Sequence, residues 1–266
     1  EEFEPDEFHL MPFLCIVDPE RLKMLLPEGD NINLPEEMKF LLDAQMAEAD
    51  LIVLNKIDTS TAEEKDRIID FIKGIYPNTT VMAMSAMTNE GVGEVVDYIL
   101  ANRSRAEHRE IGYESQAFID AEEKMSWYNT RVFMQQRNDR NIDFNNVIGD
   151  IFEGIRAGLK KAGGNVPHLK MFAADSEEEL TDFLKASMIG IDYDIIYDRK
   201  LDRKYNALSL IINARCAAEA EVMADVVADA VDDVSAKYNL KVRIFYMETF
   251  GMMEEGKGNI ALASRY

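Results

Sequence analysis

The sequence is poor in the residues that form disulfides and metal sites. It has two cysteines and three histidines among 266 residues, and Cys15 and Cys216 lie far apart, without a C-x-x-C spacing. Such sparse cysteine usage is typical of a reducing compartment, so we expect a cytoplasmic protein. Cys15 lies inside an apolar run, which favours a core residue over a ligand.

Long hydrophobic runs and positive charge are also scarce. No apolar run approaches the roughly 20 residues that a membrane-spanning helix needs. The chain has 29 basic against 50 acidic residues, a formal charge of −21, so its average field repels phosphate backbones and anionic lipids. From this average we expect neither nucleic acid nor a membrane as a partner.

Length and charge distribution indicate two domains. Residues 1–103 contain 8 basic and 22 acidic residues, a net charge of −14, which leaves −7 of the total of −21 for the remainder. Residues 104–124 are charged and lack a sustained hydrophobic period, so we predict a linker there. The predicted domains are therefore residues 1–103 and 125–266.

The first part alternates apolar runs with helical patterns. We predict strands in "LMPFLCIV" (10–17), buried on both faces, in "LIVL" (51–54) and in "TTVMAMSA" (79–86). Helices are predicted within 33–49, over 61–75 and from residue 91. This alternation is typical of a parallel sheet with helices on its faces, which binds ligands at the carboxyl ends of its strands.

The helix from residue 91 closes the first part of the chain. Its apolar residues recur at helical spacing, so we expect all of them to be buried against the sheet. They are Val92, Val95, Val96, Ile99 and Leu100.

The second part has a different order of elements. We predict a strand in "SWYNTRVFMQ", a helix capped near Asp143 and ended by Gly163-Gly164, and a strand in "VPHLKMFAA". An acidic helix over 176–184 follows, then further strands, a long helix from about 217 to 238 and a last strand, "KVRIFYMETF". Two β-α-β units in this order predict a ferredoxin-like α+β domain.

The tetrapeptide Asn55-Lys56-Ile57-Asp58 reads N-K-x-D and follows a predicted buried strand. The carboxylate of Asp58 can accept from the ring N–H and the exocyclic amine of guanine, whereas adenine offers no such pair of donors. Lys56 can lay its alkyl stem on the purine face, and Asn55 can hold the loop to a neighbouring segment. The pattern therefore indicates a guanine site.

A second loop supports this interpretation. The next strand ends in Ser85-Ala86, where the backbone N–H of Ala86 can donate to the guanine O6 atom, a position at which adenine carries an amine. The alternative for N-K-x-D is an incidental polar turn. Asp18, at the end of the first strand, is open to two roles, a nucleotide or metal contact and a cap before Pro19. His168 is either a client or metal contact or a half-buried strand histidine.

With these residues the sequence resembles the CobW/HypB/UreG metal-chaperone GTPases, and CobW-like proteins most. The resemblance rests on "FLCIVDPERL", "AQMAEADLIVLNKID" and "VMAMSAMTNEGVGEVVDYIL", over roughly residues 8–103. It implies guanine contacts from the five loop residues Asn55, Lys56, Asp58, Ser85 and Ala86. It also implies that the first domain is the later half of a P-loop-type GTPase domain.

Three features of that family are missing from the sequence: a GxxxxGK[ST] phosphate loop, a Cys-x-Cys-Cys motif and a loop that reaches the γ-phosphate. In the family all three precede the strand that corresponds to "CIVDPE". We therefore expect either that the chain is a C-terminal portion of a longer protein or that the protein has lost hydrolysis. We do not expect this portion to hydrolyse GTP, and we assign no catalytic or metal-binding residue.

The resemblance further implies a role in delivering a metal, or in maturing a metal- or corrinoid-dependent client protein. Its implied cofactors are GTP or GDP, and Mg²⁺ and zinc or cobalt in the intact protein only. It also admits a homodimer. The alternative is a non-catalytic interaction module, in which a degenerate nucleotide-binding domain serves as a scaffold.

Overall fold

The computed structural model describes residues 9–23, 25–26, 36–104, 125–175 and 181–250, except for the side chains of residues 36–38 and 250. The chain divides into two compact units, Glu1–Phe118 and Ile119–Tyr266. Most of the predicted linker, residues 105–124, lies outside the described residues, so the predicted domain limits stay predictions. No helix in the described ranges is long and apolar enough to cross a membrane.

The first unit is an α/β arrangement around a parallel sheet, in which β2 lies between β1 and β3. Its strands are β1 (Leu14–Val17), β2 (Leu51–Leu54) and β3 (Thr80–Ala83). Its helices are α1 (Pro19–Lys23), α2 (Glu36–Glu48), α3 (Ala62–Ile75) and α4 (Val92–Ala101), and a 3-10 turn spans Ile57–Thr59. All four residues of β2 are buried, and β2, which precedes the N-K-x-D tetrapeptide, is the central strand of this sheet.

Two burial predictions for this unit are wrong. Strand β1 is buried on one face only, because Cys15 and Val17 are buried while Ile16 is 56% exposed. On α4, Val95 is buried, but Val96 and Leu100 are 45% and 65% exposed. An apolar residue is buried only if another element packs against it. Within the described residues, β1 and α4 are covered on one side only.

The second unit is a six-stranded antiparallel sheet with the strand order β7-β6-β5-β8-β4-β9. The strands are β4 (Ser126–Gln136), β5 (Asn165–Ala174), β6 (Phe183–Met188), β7 (Ile196–Arg199), β8 (Ala207–Ala217) and β9 (Leu240–Phe250). The helices are α5 (Phe144–Ala162) and α6 (Ala220–Tyr238). The fold is therefore mixed α/β, with one parallel sheet and a separate antiparallel sheet.

The two helices pack together on one face of this sheet and bury the main core. Asp143 caps α5 by accepting from the backbone N–H of Asn145, and Gly163 ends the helix in a left-handed conformation, as predicted. Gly154 lets the helices approach closely, since a Cβ atom there would lie 2.8 Å from the Cβ of Ala230. The alternating pattern of β4 leaves every second side chain on the opposite face.

The prediction of an acidic helix over 176–184 is wrong where the structure describes it. Residues 176–180 lie outside the described residues, and Phe183 and Leu184 begin strand β6. In "FLKASM" the buried residues Leu184, Ala186 and Met188 alternate with more exposed ones, which is the two-residue period of a half-buried strand. The acidic residues before β6 are typical of a helix start, which is why the sequence predicts a helix there and not a strand.

Candidate functional site

Two loops meet at the carboxyl ends of β2 and β3. The strands pair in parallel with Leu54 opposite Ala83, so the segments that follow them leave the sheet side by side. The backbone N–H of Met84 donates to the carbonyl of Leu54 (2.8 Å), and that of Ile57 donates to the carbonyl of Met84 (3.3 Å). Ile57 itself is buried and anchors the first loop.

Asn55 joins the first loop to the second. Its side-chain oxygen Oδ1 accepts a hydrogen bond from the backbone N–H of Ala86 at 3.0 Å. Its own backbone N–H donates to the carbonyl of Val17 at 3.0 Å, so the residue also ties β2 to the end of β1. The sequence predicts such a tie, and the structure identifies the atoms that make it.

Asp58 and Ser85 form the second link between the loops. The hydroxyl of Ser85, which is fully buried, donates to Oδ1 of Asp58 at 2.5 Å. The same hydroxyl oxygen accepts from the backbone N–H of Thr88 at 3.1 Å. The exposed Asp58 carboxylate is thus held in one orientation by a buried side chain of the neighbouring loop.

Lys56 has an unusual backbone conformation, with φ = 61° and ψ = 34°. Few residues other than glycine adopt this left-handed region, and strain of this kind concentrates at functional sites. The ammonium of Lys56 forms an ion pair with Oδ2 of Asp18 at 2.9 Å. The carbonyl of Lys56 accepts from both the hydroxyl and the backbone N–H of Thr59.

The structure gives the contacts of Asp18, whose role the sequence left open. One oxygen accepts from the backbone N–H of Glu20 at 2.9 Å, as expected of a cap, and the other contacts Lys56. Val17 pairs with Leu54, so the residues after both strands are neighbours. The available sequence signal is that both predicted strands belong to one parallel sheet. Their carboxyl ends then lie at the same edge, which places Asp18 beside the N-K-x-D loop.

The second loop turns sharply before α4. The backbone N–H of Ser85 donates to the carbonyl of Glu90 at 2.8 Å. Gly91 has φ = +70°, and a Cβ atom there would lie 2.4 Å from the backbone oxygen of Ala83. This close approach requires glycine, so Gly91 makes the tight turn between the loop and α4.

The assembled site brings together groups of different chemistry. It presents one exposed carboxylate, one backbone N–H and one lysine stem within two hydrogen-bonded loops. The N–H of Ala86, the predicted donor to the guanine O6 atom, already has Asn55 as an acceptor, so a base must share or replace that bond. Met87, next to Ala86, is 69% exposed and was not singled out from the sequence.

The other candidate ligands are not part of this site. Both cysteines are buried, and burial raises the pKa of the Cys15 thiol to about 11 and that of Cys216 further. His168 lies half-buried on β5 of the second unit. Within the described ranges, no three His, Cys, Asp or Glu side chains form a group that could hold a metal ion.

Comparisons with solved structures give weak similarities. The Zn(II)-bound YjiA GTPase from E. coli is 12% identical, with 84% of this chain and 62% of YjiA covered and a TM-score of 0.27. An amidase of the hydantoinase/carbamoylase family from Burkholderia vietnamiensis is 8% identical, with 62% and 42% covered and a TM-score of 0.29. Elongation factor SelB from Methanococcus maripaludis, bound to a GTP analogue, is 12% identical, with 76% and 40% covered and a TM-score of 0.25.

These scores are too low to establish a shared fold, and the chain spans 62% of the length of YjiA. No curated protein sequence matches the chain. In contrast, residues 2–83 match the sequence model of the CobW/HypB/UreG nucleotide-binding domain, which includes β2 and the N-K-x-D loop. The resemblance to the CobW/HypB/UreG family is therefore confirmed over residues 2–83 of the chain.

Proposed function

We propose that the two loops bind the guanine base of GTP or GDP. The observation that carries this proposal is the pair of links between them, from Ser85 to Asp58 and from Ala86 to Asn55. The links hold a carboxylate and a backbone N–H in fixed positions at the carboxyl ends of neighbouring parallel strands. Such a preorganised edge is where ligands bind in α/β sheets.

Each group has a distinct part in choosing guanine. The Asp58 carboxylate accepts from the ring N–H and the exocyclic amine of the base, while the N–H of Ala86 donates to O6 and shares its bond to Oδ1 of Asn55. Adenine lacks the ring N–H and carries an amine in place of O6, so it would leave both protein groups unsatisfied. Lys56, held by Asp18, supplies an alkyl stem for the flat face of the base.

The proposal is limited to recognition of the base. The chain contains no GxxxxGK[ST] sequence, and we assign none of the described residues to phosphate binding or to GTP hydrolysis. Contacts to the phosphates and to Mg²⁺ would have to come from other residues. Zinc or cobalt would enter as cargo, and the described residues offer no assembled site for it.

For the second unit we propose a ferredoxin-like domain extended by the β6–β7 hairpin. Without that hairpin, the strand order β5-β8-β4-β9 and the sequence β-α-β, β-α-β support this assignment. By analogy with the family, the whole protein would use its nucleotide state to deliver a metal or to mature a metal- or corrinoid-dependent client in the cytoplasm. Only the client and the location of the protein rest on this analogy. The proposal that the loops bind a guanine base does not depend on it.

Competition binding tests the base assignment. The protein expressed from its complete reading frame would be loaded with a fluorescent guanine nucleotide, and GDP or ADP would be titrated as competitor. We expect ADP to be at least about 100-fold weaker, since it forfeits two or more hydrogen bonds. Equal displacement by ADP would show that the base assignment is wrong, and an absence of nucleotide binding would favour the scaffold interpretation.

A further inference from the structure

The face of the six-stranded sheet opposite the helices carries an unusual set of side chains. This "open sheet face" consists of the residues of β4, β5, β6, β8 and β9 that alternate with the core, together with Asp198 and Arg199 of β7. Its aromatic residues with described side chains are Trp127, Phe133, Phe172, Phe183, Phe245 and Tyr246. Phe245 and Tyr246 are 53% and 48% exposed.

The charge of this face is opposite to that of the chain. Its basic residues are Arg131, Lys170, Lys185, Arg199, Arg215, Lys241 and Arg243. These seven compare with two acids, Glu248 on β9 and Asp198, which pairs with Lys185 at 3.0 Å. The acids of the unit are concentrated elsewhere, for example on α6, where five acidic residues accompany one lysine.

Four of the arginines lie over aromatic rings of the same face. The guanidinium carbon of Arg243 lies 4.9 Å from the ring centre of Phe245, and that of Arg199 lies 4.3 Å from Phe183. Arg215 stacks similarly on Trp127, and Arg131 lies 5.9 Å from the Phe245 ring. Cation–π contacts of this kind hold the guanidinium groups beside the aromatic rings of this face.

A bulge enlarges the aromatic surface at the β4–β9 edge. The register shifts between Arg131 and Val132, so Arg131 pairs with Tyr246 and Val132 with Ile244, and Phe245 is the extra residue. Phe245 contacts Phe133 edge to face, with ring centres 6.4 Å apart. Bulges often reorient side chains next to binding sites. This bulge leaves the adjacent rings of Phe245 and Tyr246 exposed to solvent.

We propose that the open sheet face binds single-stranded nucleic acid. The cations lie on neighbouring strands, and neighbouring strands are about 4.8 Å apart. Such a row of positive charges suits a line of phosphates better than a single anion. Aromatic rings and arginine planes on a sheet backed by two helices are groups on which unpaired bases stack. Asn129 and Asn213 lie on adjacent strands of this face, where Nδ2 of Asn213 donates to Oδ1 of Asn129. Nδ2 of Asn129 and Oδ1 of Asn213 are the amide atoms that can hydrogen-bond to base edges.

This proposal revises the expectation drawn from net charge. The value of −21 is an average, while a polyanion approaches one face, and on this face the cations outnumber the acids. The proposal does not depend on guanine binding by the first unit, so either can fail alone.

Fluorescence anisotropy tests the proposal with the full chain and a labelled single-stranded RNA of about 12 nucleotides. We expect binding that weakens as salt rises from about 50 to 200 mM. The double variant Lys241→Ala/Arg243→Ala should bind at least tenfold more weakly, with a salt slope lower by about 1.4 if both cations contact phosphates. A matched control, Lys160→Ala/Lys161→Ala, removes two exposed lysines from the last turn of α5 and should leave binding unchanged.

The aromatic contribution has its own variant. Phe245→Ala removes an exposed ring and should weaken binding about tenfold while leaving the salt slope unchanged, because stacking releases no counterions. Circular dichroism would confirm that each variant is folded. Single-stranded DNA of the same length is the second ligand, and its binding would support the same proposal.

Three results would overturn the proposal. The first is an absence of RNA and DNA binding at low salt. The second is equal loss of affinity in the Lys160/Lys161 control, which would indicate a general charge effect. The third is displacement of the RNA by polyglutamate of equal charge at equal concentration, together with an unchanged affinity of Phe245→Ala, which would assign the face to an acidic polypeptide.

Discussion

The Ser85–Asp58 hydrogen bond should couple the two loops measurably, and removal of the Ser85 hydroxyl tests this. The hydroxyl is fully buried and makes two bonds, one to Asp58 at 2.5 Å and one from the Thr88 N–H at 3.1 Å. A neutral bond contributes about 1 kcal/mol. The bond to the carboxylate is discounted to about 1 kcal/mol as well, because Asp58 is exposed. Ser85→Ala should therefore lower the free energy of unfolding of the first unit by about 2 kcal/mol.

A double-mutant cycle isolates the bond between the loops. Ser85→Ala, Asp58→Ala and the double variant should give a coupling free energy of about 1 kcal/mol. Urea denaturation followed by circular dichroism measures it. Trp127, the single tryptophan, lies in the second unit, so its fluorescence reports the unfolding of that unit.

Ser60→Ala is the matched control for this cycle. The Ser60 hydroxyl is buried near the same loop and has no hydrogen-bond partner in the described structure, so its removal should leave stability nearly unchanged. A coupling below about 0.3 kcal/mol between Ser85 and Asp58, or an equal loss in Ser60→Ala, would refute the view that Ser85 positions the carboxylate.

Two further predictions concern strain and pH. Lys56→Gly should relieve the left-handed backbone and raise or preserve thermal stability, yet weaken guanine-nucleotide binding several-fold; lost stability with unchanged affinity would contradict it. At Asp182, burial would raise the pKa, but hydrogen bonds from Tyr205 and two backbone N–H groups, and the charge of Arg203, lower it overall. Asp182 thus contributes stability that is complete above its ordinary pKa of 3.8 and is lost as pH falls through the lower folded value. Asp182→Asn should flatten this acid limb in urea titrations below about pH 4, and an unchanged acid limb would refute the assignment.

The sequence predicted that the N-K-x-D loop follows a buried strand, because the signals for strand and turn are local. The apolar run Leu51–Leu54, followed at once by Asn55 and Asp58, needs only strand and turn chemistry to place polar groups at a sheet edge. The pairing of Ser85 with Asp58 follows from the parallel register, although the hydrogen bond itself is seen only in the structure.

Other features depended on partners that no local pattern describes. The exposure of Ile16 and Leu100 depends on which elements cover β1 and α4, and a hydrophobic period cannot report that. The left-handed conformation of Lys56 is imposed by the loop against the usual preference of a lysine. The cations of the open sheet face could not be recognised from the net charge, because the net charge is an average over the whole chain.

Exchange of the base-reading carboxylate for an amide tests the central claim most directly. In xanthine a carbonyl replaces the exocyclic amine of guanine, so an asparagine can accept from the ring N–H and donate to that carbonyl. Asp58→Asn in the protein from the complete reading frame should lose GDP affinity and bind xanthosine diphosphate at least tenfold more tightly than GDP, whereas the unaltered protein shows the reverse order. If both proteins rank the two nucleotides alike, Asp58 does not read the base, and the guanine site is not where these loops meet.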